Sequence, residues 1–174
     1  MTLSFSIRPA RLADAATLET LFEVLDEHHR CARPHVFRKP PDARREVTRL
    51  AETIQGPDSI ILLAVGVDGN ILGLAVLATR SVAAIPVRAA RQFVEIVELI
   101  VAAEARHLGV GRSLVDAAQS WARDHDIPAL EVSAWSFNRE ATDFYKRIGF
   151  EPTVERFALA VPRIQGKYRE KIEK

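Results

Sequence analysis

The sequence predicts an α+β (mixed α/β) chain in which one central sheet is flanked by helices. Three observations predict it. Strand-length apolar runs bracket an Asp-Gly turn within residues 60–79. Amphipathic stretches of helical period fill residues 112–125 and 139–147. The 174 residues, 48% hydrophobic and 27% charged, suffice for one ordinary core and would make two cramped ones.

The elements follow in order. Residues 5–8 read as a short strand stopped by Pro9. Asp14 is placed to cap a helix carrying Leu18, Leu21, Phe22 and Leu25 at helical spacing. Residues 28–41 read as a polar, proline-bearing loop, and 44–54 as a second helix ended by Gly56-Pro57. Residues 60–65 and 71–79 are the arms of a hairpin. Residues 81–92 form an irregular connection, and 93–101 the next strand. The helix at 112–125 turns Leu114, Val115, Ala118 and Trp121 inward. Pro128 opens a strand at 129–134. Asn138 caps a short helix at 139–147, which Gly149 terminates, and residues 154–161 supply a last strand. Residues 3–162 are expected to be one domain. Residues 163–174, with five basic side chains to two acidic ones, are expected to be a charged tail.

Charge and cysteine usage narrow the function. Lys plus Arg number 24 and Asp plus Glu 23, so the chain is neither a basic nucleic-acid coat nor an acidic disordered segment, and no nucleic-acid partner is expected. The single cysteine, Cys31, excludes an internal disulfide framework and a cysteine-rich zinc site, and no metal ligand set is expected. No run approaches a membrane span and no leader pattern is evident, so a cytoplasmic protein without a membrane partner is expected.

The eight glycines are few, and two of them fall at an informative place. A strand ending Leu99-Ile100-Val101 runs through Arg106-His107-Leu108-Gly109-Val110-Gly111-Arg112-Ser113 into a helix. The first amides of a helix lack internal partners, and glycine lets a ligand approach them closely, so this is a cradle suited to phosphate. Neither the nucleotide P-loop nor the dinucleotide glycine fingerprint fits the spacing.

Arg106-x-x-Gly109-x-Gly111 resembles the acyl-coenzyme-A pyrophosphate loop of the GCN5-related N-acetyltransferase (GNAT) superfamily. Asn138-x-x-Ala141-x-x-Phe144-Tyr145-x-x-x-Gly149-Phe150 resembles that family's second cofactor motif. Ile7-Arg8-Pro9-Ala10 with Asp14-Ala15 resembles its opening. The resemblance implies the acyl-CoA N-acyltransferase fold, with a mostly antiparallel sheet whose central strands splay apart. It implies acetyl-CoA as cosubstrate, with the pantetheine arm along Leu99, Ile100 and Val101, and Asn138 and Tyr145 near the cofactor. The pyrophosphate is expected on the amides of Arg106, His107, Leu108, Gly109, Val110, Gly111, Arg112 and Ser113. It also implies homodimer formation as a partner expectation.

The implied reaction is direct attack of a primary amine on the thioester in a ternary complex. A lysine-like amine, pKa about 10.4, costs about 4.6 kcal/mol to deprotonate at pH 7, so a base helps. Glu95 and Glu98 are the candidates, carboxylates inside an otherwise apolar strand. Regular alternation puts them on opposite faces unless a bulge intervenes. Glu98 ranks first for its place near the splay. Tyr145 is the candidate to donate a proton or hydrogen bond to the departing sulfur. The acceptor is expected to be a small-molecule primary amine, with basic residues at 28–41 and 81–92 suited to an acidic group on it. A protein lysine or N-terminal acetyltransferase and a non-catalytic acyl-CoA-binding module are the competing readings.

Overall fold

The computed structural model describes residues 4–39 and 47–159. The chain divides into two compact units, 1–139 and 140–174. In the first, strands β1 (Phe5–Pro9), β2 (Ser59–Gly66), β3 (Ile71–Val82), β4 (Arg91–Val101) and β5 (Leu130–Val132) form a single sheet in sequence order. All neighbours are antiparallel except β4 and β5, which run parallel. Parallel neighbours need a crossover, and helix α3 (Val110–Asp124) supplies it.

Helices α1 (Ala15–Ala32) and α2 (Val47–Gln55) lie on one face of the sheet. Leu18 and Phe22 of α1 and Leu50 of α2 close a core with Ile61, Leu63, Leu74, Val76 and Ile100. Helix α3 covers the other face with Val110, Leu114, Val115, Ala118 and Ala122 buried. Trp121 is only half-buried and packs against His125, 4.3 Å between ring centroids. Gly73 allows β3 to run close to its neighbour. A Cβ there would meet the Ile100 carbonyl oxygen at 2.6 Å and Val110 Cγ1 at 3.2 Å.

The hairpin between β2 and β3 turns on Gly69, whose φ of 84° is in the left-handed region. Several expected boundaries move. Helix α1 continues through His28 and His29 to Ala32, so the loop begins at residue 33. Residues 40–41 of that loop, and 44–46 at the start of the expected second helix, lie outside the described residues. β3 and β4 run further into the 81–92 connection than their apolar cores suggested, because cross-strand pairing continues through polar residues to Val82 and Arg91. Asp14 occupies the N-cap position of α1, but its carboxylate makes no capping hydrogen bond to that helix. Its carboxylate instead takes two hydrogen bonds from Arg8, at 2.7 and 2.8 Å, and one from the Arg11 N–H at 2.7 Å.

In the second unit, helix α4 (Arg139–Arg147, its first residue belonging to the first unit) matches the expected span. The expected strand at 154–161 is not formed over 154–159. That stretch carries no regular structure, with Val154, Phe157 and Leu159 exposed. Val154, Phe157, Ala158 and Leu159 give it strand-like composition, but a strand needs a ladder partner as well as composition. Residues 160–161, and the charged tail at 163–174, lie outside the described residues.

Candidate active site

The site grows from β4. Its register against β3 shifts by one residue between Val76 and Leu77, so that Val76 faces Glu98, Leu77 faces Ile96, and Val97 is left as a bulge. Residues directly opposite one another share a face. Ala78 lies opposite Glu95 and Val76 opposite Glu98, two residues apart on β3. Glu95 and Glu98 therefore stand on the same face, the one covered by α1, along with Ile100. The simple alternation expected of the strand is broken by the bulge, and Val97 is 43% exposed.

β5 accompanies β4 for three pairs only, Val94 with Leu130, Glu95 with Glu131 and Ile96 with Val132. Beyond Ile96 no described strand pairs with β4 on that side. Residues 97–101 thus form an open edge at the divergence of the two strands, the splay the fold expectation called for. Glu95 lies in the paired stretch, and Arg80 Nε donates to its Oε2 at 2.7 Å. Glu131, on the same face, is paired with Arg91. Glu98 lies beyond Val132's partner, at the start of the open edge, and is half-buried.

Leu99, Ile100 and Val101 complete that edge. Leu99 is half-buried, Ile100 is in the core on the α1 side, and the Val101 carbonyl accepts a long 3.4 Å contact from Arg106 Nε. A 3-10 turn, Ala103–Ala105, then leads into a loop with two left-handed residues, His107 at φ 61° and Gly109 at φ 88°. Gly109 caps α3, and nothing lies within 4 Å of where its Cβ would be. The Ser113 N–H closes the first helical turn on the Gly109 carbonyl at 3.0 Å. The N–H groups of Val110, Gly111 and Arg112 precede that bond and have no helical acceptor. Val110 is buried and anchors the turn, whereas His107 and Leu108 are exposed. Arg112 reaches down the helix to Asp116 at 3.3 Å. With both arginines turned to protein partners, the cradle is made of backbone: an open glycine, convergent amides and the positive end of α3. That donor set suits a pyrophosphate.

After Val132 the chain turns through residues 133–138. Trp135 and Phe137 in this turn meet His28 and His29 of α1 and Phe37 of the following loop. His29 stacks on Phe37 at 4.9 Å, Phe37 meets Trp135 edge-on at 5.2 Å, Trp135 lies over Phe137 at 6.1 Å, and Phe137 meets His29 edge-on at 5.9 Å. Trp135 and Phe137 are thereby held against α1 and the loop after it. Their grouping with α1 and the 33–39 loop joins segments some hundred positions apart and has no sequence signal. The pairing of Arg80 with Glu95, and Glu131's place on this face, had none either.

In the second unit, α4 ends in a Schellman motif. The Gly149 N–H bonds the Lys146 carbonyl at 3.2 Å and the Phe150 N–H bonds the Tyr145 carbonyl at 3.0 Å, with Gly149 at φ 103°. That turn brings Phe150 edge-to-face onto Tyr145 at 5.4 Å, and Phe144 does the same at 5.3 Å. Burial pushes the Tyr145 phenol up to about 12, so it is protonated at any ordinary pH. Asn138 directly precedes α4, and its N–H bonds the Trp135 carbonyl at 2.8 Å.

Comparison with known proteins gives the family and the fold. The model of the GNAT acetyltransferase family matches residues 21–150. No curated protein matches the chain in sequence. Among solved structures, a tetramutant of the BH1408 protein from Bacillus halodurans is 26% identical, with a TM-score of 0.84 over 90% of this chain and 99% of that one. The aminoglycoside acetyltransferase AAC(6′)-Iy, in complex with a bisubstrate analogue built on CoA and acetylneamine, is 20% identical with a TM-score of 0.71 over 92% and 99%. A Trypanosoma brucei acetyltransferase is 17% identical, with a TM-score of 0.63 over 91% and 100%. The last two show the shared fold alone.

Proposed function

The chain belongs to the GNAT acetyltransferase family, and from that premise we propose that it transfers the acetyl group of acetyl-CoA to a primary amine of a small molecule. The observation that carries this reading is the open edge of β4 beyond Ile96, with Glu98 at its start and the amide cradle of α3 at its end.

Acetyl-CoA supplies an activated thioester, so the protein needs no nucleophile of its own. The amides of Val110, Gly111 and Arg112 would hold the pyrophosphate. The backbone of Leu99, Ile100 and Val101 would align the pantetheine arm by strand-like hydrogen bonds, with Asn138 beside it. Glu98 takes a proton from the acceptor's ammonium, directly or through water, and the neutral amine so formed attacks the thioester carbonyl; the second amine proton leaves nitrogen for solvent as the adduct collapses to amide and thiolate. Glu95 is held by Arg80 inside the paired stretch, which suits it to shaping the field around Glu98 rather than to moving the proton. As the C–S bond breaks, the Tyr145 phenol would hydrogen-bond the departing sulfur, the role that resemblance to the family's second cofactor motif implies for it. A thiol has a pKa of about 8.5, so a phenol near 12 acts as a hydrogen-bond donor rather than surrendering its proton outright. The same fold, in the neighbour complexed with an analogue built on CoA and acetylneamine, accommodates a small-molecule acceptor.

The test is acetyl-CoA consumption over panels of amines, amino acids, aminoglycosides and peptides, with each product identified by mass. A mono-acetylated small amine is the expected outcome. Acetylation of peptides alone would move the assignment to a protein acetyltransferase. Tight acetyl-CoA binding without turnover on any acceptor would reduce the protein to a binding module.

A further inference from the structure

The aromatic group at the divergence of β4 and β5 is not used by the acetyl-transfer chemistry, and its composition points to what the acceptor is. Four rings close on one another in sequence, His29 to Phe37 to Trp135 to Phe137 and back to His29, and His28 sits against Phe137 at 5.9 Å. They come from α1, the loop after it, and the turn after β5. Trp135 keeps 44% of its surface exposed. α1 packs on the same sheet face that carries Glu98, and the turn leaves the sheet at Val132, where the open edge of β4 begins.

We infer that this group is an acceptor-binding platform, and that the acceptor is an amine bearing a flat aromatic ring that stacks on Trp135. The inference rests on the transferase reading above. An exposed indole among supporting rings offers offset or edge-to-face packing to a planar guest. Arg33, Arg38 and Lys39 lie on the same loop as Phe37 and suit a carboxylate on the acceptor, while Glu98 on the facing sheet suits its amine.

The test uses the full chain with Trp121→Phe, which leaves Trp135 as the only tryptophan. Its emission is titrated with 2-phenylethylamine, 2-cyclohexylethylamine, spermidine and neamine, and KM for each is measured in the acetyl-transfer assay. A saturable change in emission with 2-phenylethylamine, and a KM about threefold to tenfold below that of the cyclohexyl compound, is expected. Trp135→Ala should raise the KM for the aryl amine by the same factor, with kcat largely kept and Trp135→Phe restoring most of it. Equal KM values for the aryl and cyclohexyl amines, or a preference for spermidine, neamine or peptides, would overturn the inference while leaving the transferase standing. A Trp135→Ala protein with a lowered melting temperature and unchanged KM would overturn it too, because the rings would then only pin the loop. If no amine is acetylated, the transferase reading fails. The emission titration still decides whether the platform binds an aromatic amine.

Discussion

Glu95 and Glu98 share one face of β4 although they are three residues apart, because Val97 is extruded opposite the step from Val76 to Leu77. Without that bulge one of the two carboxylates would face α3. The bulge brings both to the α1 side, where they differ in setting. Glu95 is bound by Arg80 next to β5, and Glu98 stands where β5 has left.

That difference makes the two carboxylates separable by kinetics. Glu98→Gln should lower kcat by about a hundredfold or more at pH 7, the scale of a lost general base. The deficit should shrink as pH rises toward the acceptor's own pKa, when free amine no longer needs to be generated. Glu95→Gln should cost less and keep the wild-type shape of the pH profile. A larger, pH-dependent loss for Glu95→Gln would exchange the roles.

Tyr145 is expected to act on the leaving group. Tyr145→Phe should reduce kcat about tenfold or more while the acetyl-CoA dissociation constant stays within about threefold, since only one hydroxyl is removed. The phenol's raised value predicts no loss of its contribution between pH 7 and 10. By the same linkage, its protonated form stabilises the fold below the unfolded value of about 10, and that stability disappears as pH rises to about 12. Stopped-assay kinetics with a parallel binding titration would check this. Unchanged turnover would remove the tyrosine from the mechanism.

The Arg8–Asp14 pair joins β1 to the start of α1. Hydrogen bonds from Arg8 hold the Asp14 carboxyl at about 2, below its ordinary 3.8. A depressed carboxylate stabilises the fold above its unfolded pKa, and the contribution is lost as pH falls from about 4 to about 2. Asp14→Asn should therefore cost about 1–2 kcal/mol at pH 7, after allowance for solvent screening. The gap from wild type should close by pH 2, which urea melts at several pH values would measure.

Two glycines should respond in a stated order. Gly109→Ala meets open space and suffers only the left-handed backbone penalty, about 1–2 kcal/mol, with Gly109→Asn milder. Gly73→Ala would push a methyl to 2.6 Å from the Ile100 carbonyl, beside the open edge of β4. It should destabilise more, by about 1–3 kcal/mol, and raise the KM for acetyl-CoA. Equal melting temperatures for the two alanine variants would contradict this packing.

Much of the site was legible because its chemistry is local. Arg106 to Ser113 and Asn138 to Phe150 are single segments, and a glycine turn, a helix start and a Schellman stop are each written within about a dozen residues. The sequence by itself determined the order of most elements, the turns at Gly69 and Gly109, the start of α3 after that glycine, and the span of α4 ending before Gly149. The tertiary structure decided what depends on a distant partner. Which face Glu98 occupies is set by β3 across the ladder, and Asp14's acceptor role is set by Arg8 rather than by the helix it precedes. The aromatic group of His29, Phe37, Trp135 and Phe137 exists only once α1 and the turn after β5 meet. Residues 154–159 show the converse: an apolar stretch alone makes no strand, because the hydrogen bonds of a strand belong to its neighbour.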